Sequence, residues 1–289
     1  MWLPLAWASA ILLSFRRVGE KELSSKLNHF TIGWLVQLLS LPVMLIIWLV
    51  AGKMFNPFSL SAHFWIPLLI IWLVIYPLNT LGYFKALKGG HLSNVLPVHS
   101  LIPVMSLLLA WLIIGEKPSM LGVFGVLAIV LGVYTLNITG AKLHNPIKPF
   151  LEDKATLYML LSAVSIAVGS VLDKVAIKAS ESLYYNVVNT IGAVFVLFII
   201  AKLLKSDNNA GIKSNFPKLA GVGTLQGFAY TAYIVALSVG PVAYVVSIRS
   251  ANVLIGSLIG IWFLKEAFTK TKFVAFGLIL FGFVLLAAG

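Results

Sequence analysis

Apolar runs of roughly 17 to 25 residues, each long enough to cross a hydrocarbon core of about 30 Å as a helix, recur from one end of the chain to the other. They predict helices near residues 2–18, 28–52, 63–84, 92–115, 119–138, 155–178, 183–204, 217–238, 242–264 and 270–288. The connections are mostly short and carry turn-forming residues such as Gly89-Gly90, Pro118 and Gly240-Pro241. The longest polar stretches run from Gly140 to Lys154 and from Lys205 to Lys218. No alternation of period two with aromatic girdles is visible, which sets a β-barrel aside. The opening MWLPLAWASAILLSFRR has its basic pair after the apolar stretch, so it reads as a short first helix and not as a cleaved signal. The pattern predicts an all-α membrane protein of ten transmembrane helices.

The chain also repeats itself. A shift of 150 residues without a gap superposes Tyr83 on Tyr233, Ala86-Leu87 on Ala236-Leu237, Gly90 on Gly240, Ser100 on Ser250, Glu116 on Glu266 and Gly132 on Gly282. The two glutamates weigh most, because the chain has only nine acidic residues and both close a helix of the same ordinal position, fourth and ninth. Five helices per repeat is an odd number, so the halves enter the membrane in opposite senses. Residues 1–140 are then a first five-helix repeat, 141–154 a connecting loop and 155–289 a second repeat. Inverted repeats meeting at the midplane are an architecture of secondary transporters.

Composition removes the soluble alternative: 60% of the 289 residues are apolar and only 10% charged, against about 25% charged in soluble domains. The net charge of +12 sits between the apolar runs, as topology signals do, and forms no basic stripe interleaved with aromatics. Membrane is therefore the expected partner and nucleic acid is not. Sixteen Lys and Arg fall in the odd-numbered connections and four in the even-numbered ones, so the positive-inside rule predicts odd connections in the cytoplasm and both termini outside. The absence of cysteine excludes disulfides, thiolate metal sites and thiol catalysis.

The segments Ala86 to Lys117 (ALKGGHLSNVLPVHSLIPVMSLLLAWLIIGEK) and Ala236 to Glu266 (ALSVGPVAYVVSIRSANVLIGSLIGIWFLKE), each followed by a helix with a late glycine, resemble the two EamA-type repeats of the drug/metabolite transporter superfamily. The resemblance covers nearly the whole chain, and its motif is an apolar pattern closed by a Gly-Glu or similar pair. Lys265 stands in place of that glycine in the second half. The resemblance implies a cavity lined by helices one to four and six to nine, with five and ten peripheral, and export as the direction. The small multidrug resistance proteins of the same superfamily depend on a carboxylate in the first helix. Residues 2–18 contain none, which disfavours export of hydrophobic cations by that mechanism.

Arg249 is the most informative single residue. It lies about seven residues inside the ninth predicted helix, where a charge costs roughly 2.5 to 3.5 kcal/mol on insertion scales. Its repeat mate is His99, so pseudo-symmetry predicts two cation-capable side chains at matching depths facing one central site. Ser250 and Asn252 beside Arg249, Asn94 and Ser100 beside His99, and Tyr233 and Gln226 on the eighth helix complete the expected substrate-binding set. The plainer readings are that Arg249 snorkels or bonds backbone carbonyls, and that His99 is a packed, hydrogen-bonded histidine. Pro97 and Pro103 flank His99 and predict a bent or broken helix there. Gln37, Asn79, Asn186, Asn189 and Tyr230 read as interhelical hydrogen-bonding groups, Asp173-Lys174 as an interfacial pair, and Glu116 and Glu266 as loop caps or ion-pair partners. The GxxxG spacings Gly223/Gly227 and Gly256/Gly260 read as helix packing.

No GxxxxGK[ST] loop, HExxH or other metal-spaced cluster occurs, so no ATP coupling, catalytic residue, metal or cofactor is expected. The expected function is secondary transport of a small polar metabolite, an amino acid or organic anion, across the plasma membrane by alternating access. The partners are the lipid bilayer, a small-molecule substrate and a coupling ion. A sugar-phosphate or nucleotide-sugar exchanger is the alternative of the same class. A membrane-embedded enzyme or a non-transporting membrane subunit is the alternative of another.

Overall fold

The computed structural model describes residues 1–52, 60–89, 96–137, 154–204, 209–263 and 269–289. Among these the regular structure is helical, with no strand: α1 Trp2–Ser24, α2 His29–Val50, α3 Ala62–Ile70, a π-helical turn Ile71–Ile75, α4 Tyr76–Gly89, a 3-10 stretch Leu96–Leu101, α5 Ile102–Ile114, α6 Met120–Asn137, α7 Lys154–Lys178, α8 Ser182–Leu203, α9 Asn209–Ser214, α10 Phe216–Val239, α11 Val242–Ser250, α12 Asn252–Phe263 and α13 Lys270–Ala288. Six helices are long and apolar enough to cross a membrane: His29–Val50, Ala62–Ala86, Lys154–Lys178, Ser182–Leu203, Phe216–Val239 and Lys270–Ala288. Val98–Ile114, Met120–Leu136 and Val242–Leu258 are shorter apolar helices. Large apolar side chains such as Leu73, Leu112, Phe195 and Phe281 point outward from helix interiors, as a hydrocarbon solvent permits and water does not.

Helix ends follow local chemistry. The Asn28 side chain accepts the Phe30 N–H at 3.1 Å, Glu181 accepts Leu183 and Tyr184 N–H at 2.8 and 2.9 Å, and Thr269 accepts Lys272 N–H at 3.3 Å, each capping the helix that follows. At the end of α5, Gly115 adopts φ +69°, and Glu116 N–H reaches back to the Ala110 carbonyl at 3.2 Å. This six-to-one bond with a left-handed glycine is the common way to satisfy terminal carbonyls.

α1 continues six residues beyond the end expected at residue 18. The basic pair does not stop it, because Arg16 is engaged by Glu20 one turn on and by Gln226 Oε1 at 2.8 Å. The short α9 lies inside the stretch read as a polar loop.

The chain forms two compact units. The first contains Met1–Pro77 and Leu172–Val239, the second Leu78–Val171 and Gly240–Gly289, so each draws on both sequence repeats. In the first unit, α10 packs on α1 and α2, and α8 packs on α2. Gly223 and Gly227 permit this approach: a Cβ on either would lie 2.5 Å from Leu39 Cβ or 2.8 Å from Val43 Cβ. Leu23, Leu35, Val36, Leu219 and Val222 fill the core beside them. At that end of the unit Lys218 pairs with Glu22, and its hydrogen bond and charge hold the Glu22 carboxyl below the usual carboxylate range.

In the second unit α13 lies along α6, and α11 packs against both α5 and α6. Gly132 and Gly282 bring α6 and α13 into contact, since added Cβ atoms would come within 2.5 Å of Ile279 Cγ1 and 2.6 Å of Ile129 Cγ1. Gly256 differs, because a Cβ there would meet nothing within 4 Å.

Candidate functional site

Two helices of the second unit are irregular, and the irregularities fall at repeat-related positions. The stretch Leu96–Leu101 is 3-10, and the shift of 150 carries it onto residues 246–251, where α11 ends at Ser250 and α12 begins at Asn252. The causes differ. Pro97 and Pro103 bracket the first: Pro103 has no N–H for the bond that an α-helix would make to the His99 carbonyl, so the chain tightens. At the second, the Asn252 amide donates to the Arg249 carbonyl at 2.6 Å, and a side chain takes over an acceptor of the helical ladder. The first stretch rests on α6, as do the two helices that meet at the second.

His99 occupies the first irregular stretch. Its Nε2 lies 3.2 Å from Ser162 Oγ, and Ser162 in turn donates to Asn79 Oδ1 at 2.7 Å. A hydroxyl has one proton, so with Ser162 donating to Asn79 the imidazole must carry its hydrogen on Nε2. Tyr83 stacks on the ring, with centroids 5.4 Å apart. Neutral and doubly protonated imidazole both preserve this chain, because a second proton goes to Nδ1. Ser100 is buried beside it.

Arg249 and Ser250 are half-buried at the second interruption; Ser250 Oγ donates to the Val246 carbonyl at 2.9 Å, and Asn252 is buried. Asn94 lies outside the described residues.

Gln226 and Tyr233 belong to the first unit. Gln226 is 3% exposed; its oxygen accepts from Arg16 and its amide donates to Gln37 Oε1 at 3.3 Å, so both ends are engaged within the unit. Tyr233 packs against Tyr230, with centroids 5.8 Å apart. Residues 226, 230, 233 and 237 share one face of α10 and extend over about 16 Å of its length.

Partway along that face Asn189 and Tyr230, both read as interhelical hydrogen-bonding groups, meet two partners that the sequence did not reveal, Trp72 and Tyr76. Asn189 of α8, fully buried, accepts from Trp72 Nε1 at 3.1 Å and from the Tyr76 hydroxyl at 3.5 Å, and donates to the Tyr230 hydroxyl at 2.9 Å. Trp72 stands in the π-helical turn, whose wider winding reorients the side chains that follow. Gly192, one turn beyond Asn189, leaves room for the indole: a Cβ would lie 2.0 Å from Trp72 Cε2. Nearby, Asn186 donates to Thr231 Oγ1 at 2.8 Å.

Asp173 and Lys174, read from the sequence as an interfacial pair, are buried within the protein. They are 7% and 5% exposed. Asp173 accepts the Tyr185 hydroxyl, and Lys174 Nζ donates to the Leu237 carbonyl at 2.5 Å and the Ser238 carbonyl at 3.4 Å. The last carbonyls of α10 attract a cation in the manner of any helix C-terminus, and this draws Lys174 inward. Glu116 is a cap, accepting the Val242 N–H at 2.8 Å; Glu266 lies outside the described residues. Among the described residues no three His, Cys, Asp or Glu side chains gather as metal ligands would.

The model of the EamA-like transporter family matches residues 1–138 and again 153–288, two matches that together span nearly the whole chain. The chain belongs to the EamA-like transporter family. It is accordingly a multi-pass membrane protein of transporter type. The EamA-like fold recurs in a crystal structure whose protein is 15% identical, with a TM-score of 0.81 over 99% of this chain and 96% of that one. Among curated proteins none matches. For an EamA-like chain, the Gly-Glu pair of the first repeat now has a physical role: Gly115 ends α5 in a left-handed turn, and Glu116 caps α11.

Proposed function

We propose that the protein is a secondary transporter that exports a small anionic or zwitterionic metabolite, an amino acid or organic acid, across the plasma membrane by alternating access. In this reading α1, the six long apolar helices and the three shorter ones make ten crossings, arranged as two inverted five-helix repeats. One observation carries it: regular α-helix gives way at repeat-related positions, to a 3-10 stretch that holds His99 and to a break beside Arg249. Broken helices in transporters expose backbone groups where the substrate binds, and side chains that can carry positive charge suit a carboxylate.

Arg249 is the group expected to meet the negative end of the substrate, with Ser250, Asn252, His99, Ser100 and Asn94 supplying hydrogen bonds. Gln226 and Tyr233 would take part only by exchanging their present partners. A phosphate would suit Arg249 equally, and this keeps sugar phosphates and nucleotide sugars in the test. Purified protein is to be melted in the presence of amino acids, organic acids, nucleosides and sugar phosphates, since a ligand of the native state raises its apparent stability. The stabilising compounds are then assayed for counterflow in proteoliposomes. Stabilisation and counterflow by an amino acid or organic acid is the expected result. Response to sugar phosphates alone favours the exchanger, and no counterflow by any compound rejects transport.

A further inference from the structure

The chain leaves or enters the first unit at three points, after Pro77, at Leu172 and after Val239. Each is fastened inside that unit by a polar contact close to the crossing. Tyr76, beside the first, donates to Asn189. Asp173, one residue past the second, accepts from Tyr185. Leu237 and Ser238, just before the third, are gripped through their carbonyls by Lys174. One adjacent pair of ionisable residues thus holds two of the three crossings.

Asp173 lies five residues, about 7 to 8 Å, inside the end of α7, one of the helices able to cross a membrane. Ionisable groups at such depth are costly, and where they occur they mark ion and proton pathways. We propose that the Asp173 carboxyl is a proton-binding site whose loading and unloading couples transport to a proton gradient. The proposal rests on the transporter reading.

The chemistry is a simple protonation: the carboxylate takes a proton from water on the proton-rich side and gives it up on the other. Tyr185 accommodates both forms. Its hydroxyl donates to the carboxylate, and because a phenol oxygen also accepts, it can receive the bond from the carboxylic acid once Asp173 is loaded. The bond reverses direction, and no new partner is needed. Around the pair stand Tyr185 from α8, with Tyr76 of α4 and Tyr230 of α10 within electrostatic reach of its phenol, and Lys174 on the same helix as Asp173. Tyr76 and Tyr230 both meet Asn189, so hydroxyl and amide groups lead from the carboxyl toward the middle of α8.

Lys174 makes the switch local. Its grip on the end of α10 uses backbone carbonyls, which do not titrate, so that link persists whether or not Asp173 is loaded. The link between α7 and α8 is the one that changes strength. It changes one residue from the point where α7 passes from one compact unit to the other, where altered fastening biases a conformational equilibrium.

The test is infrared difference spectroscopy on the full-length protein in liposomes, with a pH step and the proton itself as probe. The wild-type protein should show a carboxylic-acid C=O band that is absent from Asp173→Asn. In Tyr185→Phe the band should persist but shift, because its frequency reports the hydrogen bond to the phenol. An unchanged spectrum in folded Asp173→Asn overturns the proposal. Should that variant fail to fold, an unshifted band in Tyr185→Phe overturns it instead. A second arm measures efflux of preloaded amino acids: an imposed pH gradient should accelerate it several-fold in wild type and not in Asp173→Asn. Equal acceleration of both also overturns the proposal. The infrared arm needs no solute, so if nothing is transported the band still decides whether Asp173 binds a proton, and the transport reading fails separately.

Discussion

Glu116 and Val242 are 126 residues apart in sequence and joined by a 2.8 Å hydrogen bond, the carboxylate accepting the backbone N–H that opens α11. Replacing Glu116 with alanine leaves that N–H uncapped and should cost about 1 kcal/mol, read as a lower melting temperature in detergent. Glu116→Gln keeps an acceptor oxygen and should retain most of the stability. Equal losses in the two variants would show that charge, and not the hydrogen bond, matters.

At Gly192 there is no room for a methyl group, because the Trp72 indole fills the space and is held by Asn189. Gly192→Ala should destabilise by about 1 to 3 kcal/mol through overpacking. The loss should shrink in a Trp72→Phe background, where the smaller ring yields, so a double-mutant cycle in thermal melting checks the cause. Gly256→Ala, which meets nothing within 4 Å, serves as the control and should be neutral or mildly stabilising. Additive effects of Gly192→Ala and Trp72→Phe would sink this explanation.

Arg249→Ala should nearly abolish counterflow while the melting temperature holds. Arg249→Lys should restore part of it, since lysine keeps the charge but loses the planar two-pronged contact. His99→Ala should act more weakly, and His99→Gln more weakly still, because an amide can donate to Ser162 as Nε2 does. Full activity in Arg249→Ala would remove Arg249 from the substrate site.

Lys26 Nζ lies 3.4 Å from Asn215 Oδ1, and Glu22 pairs with Lys218, so the first connection and the one before α10 share an end of the first unit. Single cysteines at Ser25 and Ser214 of this cysteine-free chain should be labelled from the same face of the membrane. The positive-inside rule predicts that this face is the cytoplasmic one. A cysteine at Ser61 should be labelled from the opposite face. Labelling of Ser25 and Ser214 from different faces would contradict the topology.

What the sequence made legible was whatever a local pattern or the repeat could carry. Pro97, Pro103 and the offset of 150 point to irregular backbone around His99 and its mate Arg249, and the 3-10 stretch and the break after Ser250 lie there. Asn189 and Tyr230 are legible as polar groups in apolar runs, but their aromatic partners are not, because Trp72 and Tyr76 sit in a long apolar run where aromatic residues look like packing. Their polar partner is 113 to 117 residues away. Arg16 misled for the same reason: charges usually end a span, and only the fold brings Gln226, 210 residues on, to satisfy this one. For Asp173 and Lys174 the place near a helix end is legible and the burial is not, because depth along a helix says nothing about which neighbours cover it.

The way the two compact units divide the chain also sets an order of manufacture. The first unit has all its residues once Val239 has been made. The second cannot close until α13 arrives to meet α6 along Gly125 and Gly132. Until then the glycine face of α6 lacks the helix that fills it, and a ribosome that stalls before α13 would leave one unit finished and one open. Domains generally fold as units while synthesis proceeds, from the N-terminal side onward. Here that rule puts completion of the first unit ahead of the second, whose closure waits on the nineteen-residue helix α13.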